Sequence, residues 1–256
     1  MKNTLLSLGH GYSAQALAAR LIPQGWTVLG TTRDPSKAES LRAQGVAPVM
    51  WSEETISEAL EQATHLLVSA GPDDGDPSLA LAGDAIAARA PRLAWVGYLS
   101  TTGVYGDHGG GWVDETTPLA PSTRRGKARV AAEAQWRSVP DLPLHIFRLA
   151  GIYGPGRGPF AKLRAGTARR IIKDGQVFSR IHVDDIAQAL DASIKSPRPG
   201  AIYNLCDDDP APPQDVIEYG ARLLGLPVPP AIPFDEAAFT PMARSFYAAS
   251  KRVSNA

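Results

Sequence analysis

The chain has 256 residues with 26 basic and 26 acidic side chains, and this balance gives no support for a nucleic-acid or membrane-surface partner. Its single cysteine, Cys206, excludes an intramolecular disulfide and favours a reducing compartment. No apolar run approaches the roughly 18 residues that a membrane span needs. We therefore expect a soluble cytoplasmic protein without a nucleic-acid or membrane partner.

The first elements are predicted to be a strand at Thr4–Leu8, a glycine turn over residues 9–14 and a helix with one apolar face. Gly9 can adopt the backbone angles of a sharp turn, and Gly11 lets main-chain N–H groups approach a pyrophosphate. The helix N-terminus adds unpaired donors and a partial positive charge. This pattern predicts a dinucleotide site; in the alternative interpretation, the glycines only form the turn. The candidate cofactor-binding residues near the turn and after the fourth predicted strand are Gly9, Gly11, Tyr12, Ser13 and Ala70.

Arg33 follows the second predicted strand, Thr27–Thr32, at the position that discriminates between NAD and NADP. An acidic residue there would accept the ribose hydroxyls of NAD, whereas an arginine can pair with the 2′-phosphate of NADP. The next residues, Asp34-Pro35, are typical of a helix N-cap followed by proline, which would occupy the neighbouring carboxylate. The sequence therefore predicts NADP as the cofactor, with NAD less favoured; the alternative is an exposed surface arginine.

Strands and helices alternate along the first hundred residues. The strands are apolar almost throughout, which is typical of a parallel sheet with helices on both faces. The expected fold class is therefore α/β, with a Rossmann-like doubly wound parallel sheet. Further strands are predicted at 46–50, 64–70 and 93–99; one helix ends at Gln44, another begins after Ser52, and a third spans 79–89.

Residues 100–106, Ser-Thr-Thr-Gly-Val-Tyr-Gly, directly follow the fifth predicted strand. Ligands of open parallel sheets bind beyond the carboxyl ends of the strands, so these hydroxyls should face the reactive end of a cofactor. With this segment, the glycine turn and residues 114–118, 147–156 and 181–187, the chain resembles a known superfamily. This is the short-chain dehydrogenase/reductase superfamily, in its extended and atypical branches, often labelled NAD-dependent epimerase/dehydratase. The resemblance implies that Thr101 is the catalytic Ser/Thr that hydrogen-bonds the reacting oxygen of the substrate.

The chain departs from this superfamily at the catalytic Tyr-Lys pair. Counting back from Ala132-Glu133 puts Arg125 at the place of the tyrosine and Arg129 at the place of the lysine. A guanidinium has a pKa above about 12, so it cannot exchange a proton near neutrality as a tuned phenol can. Arg129 could still bind ribose hydroxyls or a phosphate; the alternative is that both arginines lie on a solvated helix face. The proton donor would then be Tyr105, Tyr153 or a water molecule.

A second departure concerns the substrate. Where relatives that act on nucleotide sugars often carry an arginine for the diphosphate, this chain has Phe178, and Arg180 follows two residues later on the same face of a strand. Arg157 and Arg180 are the candidate substrate-binding residues, for a small-molecule substrate that could be anionic. Three further arginines of this region could complete an anion-binding patch or form an exposed basic face: Arg164, Arg169 and Arg170.

The C-terminal part is predicted to contain shorter elements. Residues 170–172 and 177–179 flank a Lys-Asp-Gly-Gln turn that is typical of a hairpin, and helices are expected at 184–195 and 214–224 around a strand at 201–205. By the resemblance, residues 1–157 form the dinucleotide-binding domain. Residues 158–256 form mainly a small C-terminal substrate lobe, with some segments returning to the Rossmann core.

Together these features predict an NADP-preferring oxidoreductase, or a related epimerase or dehydratase, with Thr101 and Tyr105 as catalytic residues. The alternative, favoured by the loss of the Tyr-Lys pair, is a non-catalytic module that binds NADP and regulates a partner. The five histidines have no metal-ligand spacing and none pairs with a cysteine, so we expect no metal site.

Overall fold

The computed structural model describes residues 3–256, apart from the side chains of Pro241 and Met242; residues 1 and 2 of the predicted 1–157 domain lie outside the described residues. The strands are β1 (Thr4–Leu8), β2 (Thr27–Thr32), β3 (Ala47–Met50), β4 (His65–Val68), β5 (Trp95–Thr101), β6 (Trp112–Val113), β7 (Leu144–Leu149), β8 (Gly151–Tyr153), β9 (Arg170–Ile172), β10 (Arg180–His182), β11 (Ile202–Leu205), β12 (Ala231–Pro233) and β13 (Arg252–Val253). The α-helices are α1 (Tyr12–Leu21), α2 (Ala38–Ala43), α3 (Glu53–Gln62), α4 (Pro77–Arg89), α5 (Arg124–Arg137), α6 (Pro159–Arg164), α7 (Val183–Lys195), α8 (Pro213–Leu223) and α9 (Pro241–Phe246). Short 3-10 helices lie at Ile22–Gln24, Pro35–Lys37, Ala90–Arg92, Thr102–Tyr105 and Phe234–Glu236.

The central feature is a seven-stranded sheet in the order β11-β7-β5-β4-β1-β2-β3. β1 pairs in parallel with β2 and with β4, and the outer pairs β2–β3 and β4–β5 are also parallel. The chain therefore starts in the middle of the sheet and winds outward in both directions, which confirms the predicted α/β fold with a doubly wound parallel sheet. Among residues 3–256, no helix is long and apolar enough to cross a membrane.

Apolar side chains cover both faces of the sheet because the strands alternate their side chains between two layers of helices. On the α7 side, the indole of Trp95 donates to Ser193 Oγ at 3.0 Å, and Arg20 of α1 pairs with buried Asp191 of α7 at 2.7 Å. On the opposite side, the core joins sheet residues to α3, α4 and α5 through Leu6, Leu8, Leu66, Val68, Tyr98, Ile56, Leu60, Ile86 and Trp136. The candidate site residues of this part of the chain lie at or just after the carboxyl ends of the strands.

The described chain divides into two compact units. Unit 1 comprises the chain up to Thr101, Ala128–Arg148 and Val183–Tyr203, and it contains most of the large sheet. Unit 2 comprises Thr102–Lys127, Leu149–His182 and Asn204–Ala256. Its strands form three small parallel pairs, β8 with β10, β9 with β12 and β6 with β13.

The predicted hairpin after Arg170–Ile172 is wrong. β9 pairs in parallel with β12, with Ile171 opposite Ile232, and residues 177–179 form no strand. The reason lies in the C-terminal residues, which take the hydrogen bonds that a hairpin would need. Gln176 Nε2 donates to the carbonyl of Ala249 at 2.7 Å, and the Val177 amide donates to Ser250 Oγ at 3.1 Å.

The segment 250–255 holds several loops of unit 2. Ser250 Oγ donates to the Gly175 carbonyl at 2.7 Å, and Lys251 Nζ donates to the Gly106 carbonyl at 2.7 Å. β13 lies within this segment and pairs with β6. The C-terminal segment therefore fixes the loop that follows Thr102–Tyr105.

Candidate functional site

The glycine turn after β1 is held so tightly against the end of β4 that only glycine fits at its first position. Gly9 has a φ of +84°, and a Cβ added there would lie 2.5 Å from the backbone nitrogen of Ala70. The Gly9 amide donates to Thr31 Oγ1 at 2.7 Å, and the Ser69 hydroxyl donates to the Gly9 carbonyl. The Ala70 amide donates to the Leu8 carbonyl at 3.0 Å, and this bond fixes the backbone of Ala70.

The N-terminus of α1 begins at a glycine and has no capping side chain. Gly11 is the N-cap residue and has no side chain that could form a capping hydrogen bond. The first turn of the helix contains no acidic residue. A Cβ added at Gly11 would meet no atom closer than the Gly9 carbonyl oxygen at 4.0 Å, so the space beside it is open. Tyr12 is half-buried at the first helical position, and Ser13 is buried. The arrangement can accept an anionic group on the helix N-terminus.

His10 supports the turn from inside the protein. It is 8 % exposed, and neither ring nitrogen has a hydrogen-bond partner among the described residues. A Cβ added at Gly30 would lie 2.8 Å from the imidazole, which places the ring against β2. Burial lowers the pKa of His10 to about 4, so the ring is neutral at physiological pH. Because its nitrogens are inaccessible to solvent, His10 packs beneath the turn instead of facing the open side.

Arg33 follows β2 and lies over the ring of Trp51, which follows β3. The guanidinium carbon is 5.1 Å from the ring centroid, and the Trp51 amide donates to the Thr32 carbonyl at 2.9 Å. The N-cap prediction for Asp34 is confirmed, because its carboxylate accepts from the Ser36 amide at 3.0 Å and from the Ser36 hydroxyl at 2.7 Å. These bonds lower the pKa of Asp34. Arg33 makes no ion pair with any residue that the structure describes.

Arg129 of α5 is anchored at the carboxyl end of β5. Its Nη1 donates to the Leu99 carbonyl at 2.6 Å and to the Tyr98 hydroxyl at 3.1 Å. Its Nη2 lies 3.6 Å from the position of a Cβ added at Gly71, just after β4. Tyr98 is fully buried, and this burial raises the pKa of its phenol to about 12. The Tyr98 hydroxyl and the Leu99 carbonyl therefore fix Nη1 of the guanidinium. Its other N–H groups lie near the ends of β4 and β5, where they could donate to a ligand.

Thr101 is the last residue of β5, and its neighbour Ser100 is tied into a buried ionic network. Ser100 Oγ donates to Glu133 Oε1 at 2.5 Å, and Glu133 pairs with Arg148 at 2.9 Å. Glu133 is one helical turn after Arg129 on α5, so the same helix fixes the end of β5 and carries the cation. Thr101 itself is half-buried.

Tyr105 lies in unit 2 and is fully buried, and its hydroxyl donates to Asn204 Oδ1 at 2.7 Å. Its phenol is thus part of the interior of unit 2 in this structure. The backbone amide of Asn204 in turn donates to Glu115 Oε1 at 2.6 Å. Tyr153, the other tyrosine considered as a proton donor, is half-buried, with its ring centroid 5.1 Å from that of His182.

The candidate substrate-binding arginines occupy different environments within unit 2. Arg180 Nη1 donates to the carbonyls of Phe178 at 2.9 Å and Ala211 at 3.1 Å, and burial lowers the pKa of its guanidinium. Arg157 is exposed. Arg170 pairs with Glu218 at 2.9 Å, a carboxylate that also pairs with Arg222.

The structure brings together the candidate residues of unit 1 at the carboxyl ends of β1, β2, β4 and β5. These are Gly9, Gly11, Tyr12, Ser13, Arg33, Ala70, Arg129 and Thr101. The remaining candidates, Tyr105, Arg157 and Arg180, belong to unit 2. Residues 3–256 contain no group of three or more His, Cys, Asp or Glu side chains that could hold a metal ion.

No family model matches the chain. Protein YeeZ of Escherichia coli (strain K12) is 32% identical over 240 residues, which are 87% of this chain and 84% of YeeZ. The chain belongs to the YeeZ family. A solved structure of a functionally unknown conserved protein from Silicibacter pomeroyi DSS is 64% identical, with a TM-score of 0.95 over 99% of this chain and 90% of that one.

The YeeZ-family chain has the fold of the extended short-chain dehydrogenase/reductases, which confirms the resemblance found in its motifs. A dTDP-glucose 4,6-dehydratase from Bacillus anthracis str. Ames, solved in complex with NAD, has a TM-score of 0.75 at 18% identity, over 91% of this chain and 85% of that one. At this identity the likeness shows the fold alone.

Two residues of the site escaped sequence reasoning. Trp51 is an isolated aromatic residue, which is more often part of a core, yet it lies under Arg33. Tyr98 reads as a core residue of β5, yet its hydroxyl holds Arg129. No sequence signal marks Tyr98, because its place on the face of β5 that packs against α5, the helix that carries Arg129, follows from the tertiary packing.

Proposed function

We propose that unit 1 binds a nicotinamide dinucleotide, and the observation that carries this proposal is the uncapped N-terminus of α1 behind the Gly9 turn. The residues present fit such a group. Gly9 has no room for a Cβ, Gly11 borders open space, and the N-cap of α1 provides no capping side chain. Backbone donors at a helix N-terminus are the groups that hold a pyrophosphate. The NAD in the dehydratase structure of the same fold supports the assignment.

The proposed cofactor is NADP, with NAD the weaker ligand. The Arg33 guanidinium makes no ion pair among the described residues and lies over Trp51, so its donors are available for a 2′-phosphate. The Asp34 carboxylate stays charged, but its bonds to the amide and hydroxyl of Ser36 hold it at the N-cap of the following 3-10 helix. Arg129, fixed by Tyr98 and Leu99, is proposed to donate to ribose hydroxyls or a phosphate.

The proposed activity is that of an oxidoreductase, or of an epimerase or dehydratase, to which the bound dinucleotide supplies hydride transfer. Thr101 is proposed to hydrogen-bond the reacting oxygen of the substrate. A guanidinium group does not exchange protons near neutral pH, so the proton donor must be a group other than an arginine. Tyr105 is buried and bonded to Asn204, which supports a structural role and leaves Tyr153 or a water as the proposed donor.

Unit 1 takes the role proposed for residues 1–157, and unit 2 takes the role of the substrate lobe proposed for 158–256. The segments 102–127 and 149–157 belong to unit 2, so they join the proposed substrate lobe. Arg157 and Arg180 stay the proposed substrate-binding residues. The dehydratase acts on dTDP-glucose by its name, but Phe178 at the diphosphate position makes a nucleotide sugar less favoured here.

A fluorescence titration with NADPH and NADH, repeated on Arg33→Ala, tests the cofactor proposal. NADPH should bind at least about tenfold more tightly, a difference of about 1.4 kcal/mol, and the variant should equalise the two affinities. Arg42→Ala removes another exposed arginine of unit 1 and should leave the preference unchanged. The absence of binding by either nucleotide would remove the dinucleotide site.

A second candidate function is a nucleotide-binding sensor without catalysis, favoured by Arg125 and Arg129 at the positions of the Tyr-Lys pair. An enzyme should oxidise bound NADPH in the presence of a suitable small carbonyl compound, whereas a sensor should bind NADPH and leave it intact. If turnover is found, Thr101→Val should abolish it and leave NADPH affinity unchanged. Unchanged turnover would remove Thr101 from the proposed mechanism.

A further inference from the structure

Unit 2 contains a group of three half-buried aromatic rings that contact one another, Phe234, Phe239 and Tyr247. The ring centroids are 5.1 Å apart for Phe234 and Phe239, and Tyr247 lies 5.4 Å from each of them. Phe178 packs edge-on against Tyr247 at 5.7 Å. The rings retain partly exposed surface, so a further planar group can pack against them.

Three cations surround these rings, and together the six side chains form what we term the aromatic-cationic cluster. Lys173 Nζ lies 5.2 Å from the Phe234 centroid, and the Arg244 guanidinium lies 5.5 Å from Phe234 and 5.4 Å from Phe239. Arg169 lies 5.9 Å from Phe239. Arg169 and Lys173 also donate to the carbonyls of Ala238 and Tyr247.

Among the described residues, the Ser250 amide and, to a smaller extent, the charge of Lys173 lower the pKa of Asp107, so one carboxylate acts on the cluster without pairing with it. None of the cations Arg169, Lys173 and Arg244 makes an ion pair with a described residue, although Arg170, next to Arg169, pairs with Glu218. Each cation–π contact at a partly exposed site contributes only about 0.5–1 kcal/mol, and three like charges repel one another. An anionic group bound near the three cations would offset their mutual repulsion by its attraction to each of them.

The donors of the cluster are side chains, which limits the kind of anion that fits. The N-terminus of α9 is closed to a ligand, because Thr240 Oγ1 accepts from the Ala243 amide at 3.2 Å. Guanidinium groups bind carboxylates and phosphates through paired N–H bonds, and the neighbouring rings offer a surface for stacking. A ligand that satisfies both features has a ring and a negative charge in one small molecule.

We propose that the aromatic-cationic cluster binds a small molecule with a planar ring and an anionic group, either a carboxylate or a phosphate. The proposal extends the proposed function, because it names the substrate class of unit 2. It stands on contacts within unit 2 alone, so it can be tested without the dinucleotide.

Calorimetric titration of the full chain at low ionic strength, with no dinucleotide present, provides the test. The probes are cinnamate, which joins a ring to a carboxylate; uridine monophosphate, which joins a ring to a phosphate; and inorganic phosphate, which has no ring. At least one ring-bearing probe should bind about tenfold more tightly than inorganic phosphate. Which of the two binds identifies the anionic group.

Two variants assign the binding to the cluster. Arg244→Ala removes an exposed side chain and should weaken the ring-bearing probe about tenfold, as expected for a lost charged contact. Phe239→Leu should weaken the same probe and leave the weak binding of inorganic phosphate unchanged. Lys127→Ala, which removes an exposed cation of unit 2 outside the cluster, should leave all affinities unchanged.

Three results would overturn the proposal: no saturable binding of either ring-bearing probe, equal affinity for all three probes, or equal effects of Arg244→Ala and Lys127→Ala. The last result would also place any uridine monophosphate binding elsewhere, including the dinucleotide site of unit 1. A failed NADPH titration with intact probe binding would leave the cluster site in place and remove only the dinucleotide proposal.

Discussion

Replacing Glu133 by glutamine tests how strongly the end of β5 is held. Glu133 and Arg148 are both 3 % exposed and 2.9 Å apart, and Ser100, beside Thr101, donates to the same carboxylate. Glu133→Gln keeps the size of the side chain but removes the negative charge that faces the buried guanidinium of Arg148. Loss of one partner from such a pair costs about 3–5 kcal/mol. The free energy of unfolding measured with urea should fall by that amount.

An exposed pair supplies the matched control. Glu61 is 76 % exposed and lies 3.8 Å from Arg89, so Glu61→Gln should change the free energy of unfolding by less than about 1 kcal/mol. The double variant Glu133→Leu with Arg148→Met replaces the whole pair by apolar groups and should recover most of the loss. If Glu133→Gln costs no more than Glu61→Gln, the buried carboxylate does not support β5 and the reasoning is wrong.

Two further predictions concern the glycine turn. Gly9→Ala should destabilise the fold and abolish nucleotide binding, because the added Cβ would lie 2.5 Å from the backbone nitrogen of Ala70. Gly25 has a similar φ and no atom within 4 Å of an added Cβ, so Gly25→Ala should lower the free energy of unfolding by only about 1–2 kcal/mol. Equal costs would contradict the steric argument. His10 titrates near 4 when folded and near 6.5 when unfolded, so the unfolded chain binds more protons between these values. The free energy of unfolding should therefore decline as pH falls from 6.5 towards 4. His10→Met should remove roughly 3 kcal/mol of this decline. If the free energy of unfolding of His10→Met depends on pH as that of the unaltered chain does, His10 is not buried as described.

The fold was predictable because its signals are short in range. The apolar strands, the glycine turn and the N-caps at Asp34 and Ser52 are each specified by residues within a few positions of one another. The predicted order of strands and helices therefore matches the structure through the first nine elements, β1 to β5 with α1 to α4 between them, and again in α7, β11 and α8.

The rest of the site depends on contacts between residues far apart in the sequence. Arg33 could be placed at the end of β2, but its position over Trp51 follows from the pairing of β2 with β3. Likewise, Arg129 could be aligned with the lysine of the resembling superfamily, while its anchoring by Tyr98 requires the packing of α5 on β5. The hairpin failed for the same reason, because Ser250 takes the amide of Val177 from 73 residues away.

The hydrogen bonds of Ser250 connect two loops of unit 2, and we expect these loops to unfold locally together. Its carbonyl accepts the amides of His108 at 3.1 Å and Gly110 at 2.9 Å, and its hydroxyl accepts the amide of Val177. Amide protons in two distant loops thus depend on one residue for protection from solvent. Their hydrogen-exchange rates should rise together whenever the C-terminal strand detaches, so a small local fluctuation there spreads as a single cooperative event.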